Sequence, residues 1–472
     1  MFADEHQIKK IVEDVIKKIN TTGISSAYDL NTQNHSSAHG IFTTVEDAVR
    51  AASLAYREYK KVTLQKRHEI IKAMRDAAVR NAEVMAREAH EETKMGRVAD
   101  KVQKNLLSAT KTPGPEALHP RAVSGDRGLT LEERAPYGVI ASITPSTNPV
   151  ATVINNSITM LSAGNTVVYN FHPSAKKCCA KMVSILNDAI VSVGGPKNLI
   201  NAIENPTMES STALMKHPDV KLVCVTGGPG VVKAAFGAGK KVIAAGPGNP
   251  PAVVDESADI EKAARDIVNG ASFDNNVMCI AEKECIAVNS IFDKLKDYMK
   301  RHGAFELRGE EINRLMRVVF DKEGQLIRKW CGKDARVILN EMGIHVSDEI
   351  KLIIAEVDKN HPFVEEEMLM PVLPLVRARD VDEAIEIAIE AEHHYYHTAM
   401  MHSHNIENLH KMASAINTTI FVKNGPSYSG LGFNGEGHTS LTIAGPTGEG
   451  VTTPVSFTRE RRCVLIDYFR IV

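Results

Sequence analysis

Residues 138–171 read GVIASITPSTNPVATVINNSITMLSAGNTVVYNF, and this stretch decides the fold class. Two short β-rich runs, GVIASIT and NTVVYNF, lie on either side of VATVINNSITMLSAG, which has the length and pattern of a helix. A strand, a helix and a strand in this order predict a right-handed crossover between parallel strands. The alternation continues to residue 245 and resumes over 251–424. We therefore predict an α/β fold with two doubly wound sheets, whose ligands bind at the carboxyl ends of the strands.

Composition narrows the class of protein. The 472 residues exceed what one hydrophobic core supports, so two or three domains are expected. The 56 basic and 58 acidic residues nearly balance, which argues against nucleic acid or a membrane surface as a partner. No apolar run reaches the roughly 18 residues of a membrane span, and the N-terminus lacks the layout of a secretion signal. We expect a cytoplasmic protein.

The seven cysteines form an odd, irregularly spaced set without a CxxC pair, which favours reduced thiols over disulfides or structural zinc. Cys285 lies in the alternating run KECIAVN and is predicted to face a core. Cys279 follows the polar segment FDNNVM, where a thiol is either a reactive group near free backbone N–H groups or a buried, inert side chain. The histidines of 391–405 have no matching cysteine and carboxylate set, so no metal site is expected.

Two turns after predicted strands allow two interpretations each. Asn148 precedes Pro149, which suits the first position of a helix, so its side chain either caps that helix or offers an amide N–H to a carbonyl group. TGGPGVVKAA (226–235) is either a plain strand–helix connection or a backbone N–H site for a phosphate or a nicotinamide. Spacing alone does not separate these alternatives.

The N-terminal part of the chain is predicted to be helical. In EHQIKKIVEDVIKKINTTG (5–23), isoleucine and valine recur at helical spacing with charged residues opposite, and a polar, linker-like segment follows. The apolar stripe requires a partner, which is either the chain's own domain or subunit or another protein. Between Thr43 and Glu92 the pattern is helical, and no Gly or Pro interrupts it.

Taken together, these segments resemble the aldehyde dehydrogenase superfamily, and most closely its CoA-acylating branch, the propionaldehyde dehydrogenases of bacterial microcompartments. The resemblance extends from Thr43 to the C-terminus. The blocks that carry it are APYGVIASITPSTNP (135–149), AGNTVVYNFHPSAKKC (163–178), CVTGGPGVV (224–232), AAGPGNPPAVVD (244–255), SFDNNVMCIAEKE (272–284), HPFVEEEMLMPVLPLV (361–376) and TTIFVKN (418–424).

The resemblance implies the site residues. It makes Cys279 the nucleophile and Asn148 the side-chain half of the oxyanion hole. The residues that it implies for NAD binding are Thr144, Pro145, His172, Pro173, Thr226, Gly227, Gly228 and Glu367. The chain departs from the family at Leu369, where an aromatic residue is common, and at Asn170, where many NAD-using relatives have lysine.

Position 244 indicates which nucleophile releases the product. Hydrolytic members of the superfamily carry a glutamate there that activates water, and general-base help of this kind is worth roughly 10²–10⁴-fold. This chain has Ala244, and a free thiol needs less help than water. The resemblance thus implies a CoA-acylating dehydrogenase that converts a short-chain aldehyde, NAD and coenzyme A to acyl-CoA and NADH, with propionaldehyde favoured. A hydrolytic aldehyde dehydrogenase and a non-redox cysteine acyltransferase are the alternatives.

The resemblance also implies the domain organisation. A Rossmann-like NAD-binding domain comprises 41–112 and 134–244, a catalytic domain comprises 245–437, and an oligomerisation β-flap comprises 113–133 and 438–472. Residues 1–20 are implied to be an amphipathic targeting helix and 21–40 its linker. A microcompartment shell or core protein is then an expected partner and the microcompartment interior the expected location. A homo-oligomer, either a dimer or a tetramer, is expected.

Overall fold

A computed structural model describes residues 38–472 of the chain. The targeting helix predicted over 1–20 lies outside the described residues, as does the predicted linker up to residue 37. Within the described range, no helix combines the length and the apolar character needed to cross a membrane.

The strands of residues 38–472 are numbered in chain order. They are β1 (Ile41–Phe42), β2 (Arg121–Gly125), β3 (Gly128–Pro136), β4 (Val139–Ile143), β5 (Thr166–Asn170), β6 (Ile200–Ile203), β7 (Val220–Thr226), β8 (Lys241–Ala245), β9 (Pro251–Val254), β10 (Glu284–Val288), β11 (Ala304–Leu307), β12 (Leu352–Glu356), β13 (Val372–Ala378), β14 (Thr398–His402), β15 (Ile420–Lys423), β16 (Ile443–Ala444), β17 (Gly450–Val451) and β18 (Thr458–Ile466).

Two parallel sheets form the body of the protein. One has six strands in the order β1-β6-β5-β4-β7-β8, and the other has seven in the order β11-β12-β13-β10-β9-β14-β15. Every position of β4, β5 and β10 is buried. In β4, Ile140 packs in one apolar cluster and its neighbour Ala141 in another, so both faces of the sheet are covered. The predicted fold class is confirmed, and so is the core-facing position of Cys285.

The helices of the same residues pack on these sheets. They are α1 (Val45–Tyr59), α2 (Leu64–Arg80), α3 (Ala82–Thr93), α4 (Val98–Lys111), α5 (Pro149–Ser162), α6 (Lys176–Ser192), α7 (Met208–Lys216), α8 (Pro229–Phe236), α9 (Ile260–Ser272), α10 (Phe292–Arg301), α11 (Glu310–Val319), α12 (Ala335–Glu341), α13 (Pro362–Glu365), α14 (Val381–Ala391) and α15 (Ile406–Ile416).

The helical pattern over Thr43–Glu92 contains no Gly or Pro, yet the segment forms three separate helices. The first break falls before α2, where Thr63 adopts extended backbone angles and its side chain accepts a hydrogen bond from the Lys66 N–H at 3.2 Å. Threonine caps a helix N-terminus in this way, so a helix begins there without glycine or proline. Asn81 separates α2 from α3.

A small antiparallel sheet in the order β18-β3-β2 stands beside the two parallel ones. Strand β18 pairs with β3 along its whole length, from Thr458 opposite Pro136 to Ile466 opposite Gly128. All five residues of β2 are exposed, as are all residues of β18 after Thr458. This sheet uses the segments predicted for the flap, while the domain boundaries themselves stay predictions.

The buried Asn165 joins this region to the six-stranded sheet. Its Oδ1 accepts hydrogen bonds from the backbone N–H groups of Tyr137 (2.7 Å) and Gly138 (3.0 Å). Its Nδ2 donates to the carbonyl oxygens of Phe457 (2.9 Å) and Met160 (3.3 Å). One side chain therefore connects the start of β4, the end of α5 and the segment that leads into β18.

We expect Asn165→Ala to lower the free energy of unfolding by about 3 kcal/mol, because buried backbone groups lose their partners. Urea unfolding followed by circular dichroism measures the change. Asn313→Ala, at an exposed helical position, is the matched control and should change stability little. Equal stability of the two variants would contradict this role of Asn165.

Candidate active site

All the residues predicted to contact NAD except Glu367 lie along one edge of the six-stranded sheet. Thr144 and Pro145 follow β4, His172 and Pro173 follow β5, and the Thr226 turn ends β7. Strands β5, β4 and β7 are direct neighbours in the sheet. Their carboxyl ends therefore bring the three turns together, as the sequence predicts.

The candidate site residues of the seven-stranded sheet lie at the amino ends of its strands. Cys279 precedes β10, Gly248 precedes β9, Glu367 precedes β13 and His397 precedes β14. In the sheet these strands follow one another as β13-β10-β9-β14, so their amino ends bring the four loops together. The turns predicted to hold NAD thus lie at carboxyl ends of the first sheet, whereas Cys279 lies at an amino end of the second.

The turn before Cys279 is left-handed. Asp274, Asn275 and Asn276 have φ of 46°, 54° and 64°. Aspartate and asparagine tolerate this conformation better than other non-glycine residues, although each such residue still carries strain. The run FDNN therefore has the residue types that a left-handed turn requires, and the turn ends just before the predicted nucleophile.

Side chains on both sides hold this turn. The buried Lys283 ammonium donates to the carbonyl oxygens of Asn276 (2.9 Å) and Met278 (3.2 Å). Asn276 Nδ2 donates to the carbonyl oxygen of Ala271 (2.8 Å), and Asn275 Nδ2 donates to that of Gly332 (3.0 Å). The backbone that leads into Cys279 is thereby fixed.

The Asp274 carboxylate lies in a buried cluster with two lysines of α4. Its Oδ2 accepts hydrogen bonds from Lys101 Nζ (3.1 Å) and from Lys104 Nζ. Its Oδ1 accepts one from the Arg97 N–H (2.7 Å). Burial favours the neutral acid, yet Lys104 and Lys101 overcome it and hold the pKa of Asp274 below its usual value. Gly96 must be a glycine here, because its φ is +70° and a side chain would collide with the Asp274 carboxylate.

Asn148 stands at the N-cap position of α5, but its side chain makes no capping hydrogen bond. Its Oδ1 instead accepts a hydrogen bond of 2.6 Å from Lys104 Nζ. Its Nδ2 has only a long contact of 3.3 Å with Thr147 Oγ1. Of the two interpretations of Asn148, side-chain capping is therefore wrong.

The Cys279 thiol is partly buried and has a high pKa in the free protein. Burial and the Glu367 carboxylate raise its pKa to about 12, against the opposing effect of Lys283 and Lys104. Burial also raises the pKa of Glu367, while Lys283 and the Gly248 N–H act against it. The nucleophile thus rests as a thiol.

Gly248 separates Cys279 from His397. A Cβ atom on Gly248 would lie 2.6 Å from the Cys279 carbonyl oxygen and 3.0 Å from His397 Cγ, so only glycine fits between them. His397 is buried, and burial lowers its pKa to about 4, which leaves the ring neutral. His397 Nδ1 lies 2.9 Å from Thr398 Oγ1, and Nε2 has no partner among residues 38–472.

The residues at the NAD edge fit a dinucleotide. The buried Thr144 Oγ1 has no hydrogen-bond partner among the described residues, and Gly228 is exposed directly before α8. His172 and Pro173 are exposed beside it. Asn170 is engaged elsewhere, because its Oδ1 accepts a hydrogen bond of 2.6 Å from Ser210 Oγ and its Nδ2 donates to the Thr207 carbonyl oxygen at 3.4 Å. It therefore does not replace the lysine of many relatives as a free donor.

Sequence reasoning missed several residues of this site. Lys104 and Lys283 appear in the sequence as ordinary charges, although both are buried beside the nucleophile turn. The sequence presents His397 only as one of the histidines of 391–405, for which no metal site is expected. Within residues 38–472, no group of three or more side chains that could hold a metal ion occurs. The FDNN segment carried the one usable signal, since consecutive Asp and Asn residues indicate a left-handed turn.

Comparison with known proteins agrees with this geometry. A model of the aldehyde dehydrogenase family matches residues 31–306 and 309–442. The chain belongs to this family. It is 48% identical to an acetylating acetaldehyde dehydrogenase of Bilophila wadsworthia, over 99% of both chains. It is 45% identical to a CoA-propanoylating propanal dehydrogenase of Salmonella typhimurium, over 92% of this chain and 93% of that one.

Solved structures of aldehyde dehydrogenases are similar too. A Rhodopseudomonas palustris propionaldehyde dehydrogenase with bound CoA and an acylated cysteine has a TM-score of 0.90 and 49% identity, over 91% of this chain and 98% of that one. A propionaldehyde dehydrogenase of the Clostridium phytofermentans fucose utilisation microcompartment has a TM-score of 0.90 and 47% identity, over 92% and 100%. The latter has also been solved with alanine in place of one cysteine and, separately, of one histidine.

We expect Glu367→Gln to make Cys279 more reactive in the enzyme without nucleotide, because the carboxylate that disfavours the thiolate is removed. Alkylation by iodoacetamide at pH 8 should accelerate about 3- to 10-fold, as up to one unit of pKa change implies. Peptide mass spectrometry follows the loss of free Cys279. Glu366→Gln, at the exposed neighbouring carboxylate, is the control. An unchanged rate in Glu367→Gln would refute the electrostatic link.

Proposed function

We propose that this protein is a CoA-acylating aldehyde dehydrogenase, which oxidises a short-chain aldehyde with NAD and transfers the acyl group to coenzyme A. The observation that carries the proposal is the pairing of Cys279 on a rigid turn with an alanine at position 244. Ala244 is buried, and its N–H donates to Thr447 Oγ1 at 3.1 Å. That position offers no carboxylate to activate water, so the alternative of a hydrolytic enzyme lacks its base there.

Acylation begins when the Cys279 thiol releases its proton to solvent and the resulting thiolate adds to the aldehyde carbonyl carbon. The oxyanion that forms accepts hydrogen bonds from Asn148 Nδ2 and from the backbone N–H of Cys279, both of which are held in place before the substrate arrives. The nicotinamide, when held by Thr144 and Thr226 at the six-stranded sheet and by Glu367 at the seven-stranded sheet, would supply the hydride acceptor. Loss of hydride converts the thiohemiacetal into a thioester on Cys279.

Deacylation exchanges one thiol for another. The coenzyme A sulfur attacks the thioester carbonyl, the same oxyanion site stabilises the tetrahedral state, and Cys279 leaves as a thiolate. The acceptor thiol must lose a proton, and we propose that the neutral His397 accepts it at Nε2, which is unpartnered within residues 38–472. The cysteine and the histidine replaced in the Clostridium phytofermentans enzyme are as far apart in sequence as Cys279 and His397 here, which supports this role.

The relatives support the substrate class. Their names give acetylating and CoA-propanoylating activities, and one structure holds CoA with an acylated cysteine. We favour propionaldehyde, with acetaldehyde and butyraldehyde next, because Val277 and Met278 beside the nucleophile are buried and apolar. The non-redox acyltransferase alternative leaves the NAD edge and Glu367 without a use.

The exposed apolar end of the chain supports a homo-oligomer. Leu465, Ile466, Tyr468 and Phe469 are all more than 40% exposed at or just after the end of β18. A strand with exposed edges and apolar side chains pairs readily with a second chain. We propose a dimer or tetramer built through this sheet, and a location inside a bacterial microcompartment, as in the Clostridium phytofermentans enzyme.

A steady-state assay tests the proposed function. Aldehydes of two to four carbons are supplied with NAD, with and without coenzyme A, to the wild type and to Cys279→Ala. We expect NADH formation that requires coenzyme A and Cys279. NADH and free acid without coenzyme A would favour the hydrolytic enzyme. No NADH from any aldehyde, together with acyl transfer to coenzyme A from a supplied thioester, would favour the acyltransferase.

We expect removal of residues 1–23 to leave activity intact and to abolish encapsulation, because the amphipathic segment is a separate docking element. Co-purification with microcompartments measures packaging, and the steady-state assay above is the control for folding. Lost activity together with retained packaging would refute this targeting role.

A further inference from the structure

One buried lysine connects the two halves of the proposed oxyanion site. Lys104 on α4 is 3% exposed. Its Nζ donates to Asn148 Oδ1 at 2.6 Å and to the Asp274 carboxylate of the nucleophile turn. Asn148 and Asp274 lie in loops of two different sheets, because Asn148 follows β4 and Asp274 precedes β10. Lys104 therefore fixes the position of the amide relative to the turn that presents Cys279.

The chemistry of lysine also decides which way the amide faces. An ammonium group has three donors and no acceptor, so only the oxygen of Asn148 can face it. If the amide rotated by half a turn, the Asn148 Nδ2 donor would face the Lys104 ammonium donor. The Asn148 Nδ2 group is consequently held on the side away from Lys104, where one of its protons has only the 3.3 Å contact with Thr147.

The charge of Lys104 acts in the same direction. A hydrogen bond from a cation polarises the amide it contacts and strengthens the hydrogen bond that the amide donates on its other side. The effect is large where water is excluded, and Lys104 and Asn148 are both buried. The aldehyde adduct and the coenzyme A adduct each carry an oxyanion, so both half-reactions depend on this donor.

We propose that Lys104 is a positioning residue for the reaction, which orients and polarises the Asn148 amide as the oxyanion donor. The inference rests on the proposed function, because it requires an oxyanion at Asn148. It goes beyond that function because the turnover rate would depend on Lys104, a side chain that contacts neither the substrate nor the Cys279 sulfur.

Lys101 provides a matched control. It lies on the same helix, is 3% exposed, and donates to the same Asp274 oxygen at 3.1 Å. It has no hydrogen bond to Asn148. Lys101→Met and Lys104→Met therefore both remove one ammonium group from Asp274, and only Lys104→Met also releases the amide.

The experiment measures kcat and KM for aldehyde and for coenzyme A in Lys101→Met, Lys104→Met, Asn148→Ala and the double variant Lys104→Met/Asn148→Ala. Removal of one oxyanion donor lowers kcat by about 10²–10³-fold, so we expect Lys104→Met to lower kcat about 10- to 100-fold more than Lys101→Met. KM should change little, because the donor acts on the oxyanion. In the Asn148→Ala background, Lys104→Met should then have no further effect beyond that of Lys101→Met.

Equal kcat values for Lys101→Met and Lys104→Met would overturn the inference. A fall in kcat on Lys104→Met that is as large in the Asn148→Ala background as in the wild type would also overturn it. If Lys104→Met does not fold, Lys104→Gln replaces it, since its amide still donates to Asn148 without the charge and should fall between the wild type and Asn148→Ala. Cys279→Ala separates the two levels of the proposal. An active Cys279→Ala would refute the proposed function, whereas an inactive Cys279→Ala with equal lysine variants would refute the role of Lys104 alone.

Discussion

The left-handed turn Asp274–Asn276 depends on one buried carboxylate. Asp274 is fully buried, and the ammonium groups of Lys101 and Lys104 neutralise it. Breaking a buried pair by removing one partner costs about 3–5 kcal/mol, because the remaining charge has no solvent. The same cluster therefore holds three residues in an unfavourable backbone conformation and fixes the cysteine that follows them. The strain is concentrated just before Cys279, the proposed nucleophile, where a rigid backbone is useful.

The two parallel sheets contribute to the site in opposite ways. The six-stranded sheet offers the carboxyl ends of β5, β4 and β7, where exposed glycines and a helix N-terminus suit a dinucleotide. The seven-stranded sheet offers the amino ends of β13, β10, β9 and β14, which carry Glu367, Cys279, Gly248 and His397. Helix α4 bridges the two sets through Lys104. In the proposed mechanism, redox chemistry and acyl transfer share one oxyanion site.

The sequence predicts much of the fold because the elements alternate strongly. The fully buried runs of β4, β5 and β10 identify parallel strands covered on both faces. The polar FDNN segment leaves Cys279 either reactive or inert, and only the family resemblance implies that it is the nucleophile. The helix breaks at Thr63 and Asn81 are missed because neither uses glycine or proline. The Thr63 side chain caps the start of α2, and Asn81 Nδ2 donates to the Ala77 carbonyl oxygen at the end of α2. Lys104, Lys283 and His397 are missed because their role depends on contacts with residues distant in the chain, which no local pattern encodes.

The central claim is that Cys279 holds an acyl group which water does not remove, because position 244 has no base. Intact-protein mass spectrometry of enzyme mixed with propionaldehyde and NAD in the absence of coenzyme A tests it directly. We expect a propionyl adduct, mapped to the peptide that contains Cys279, which persists until coenzyme A is added and then disappears. The absence of any adduct, or an adduct that decays equally fast with and without coenzyme A, would contradict the claim.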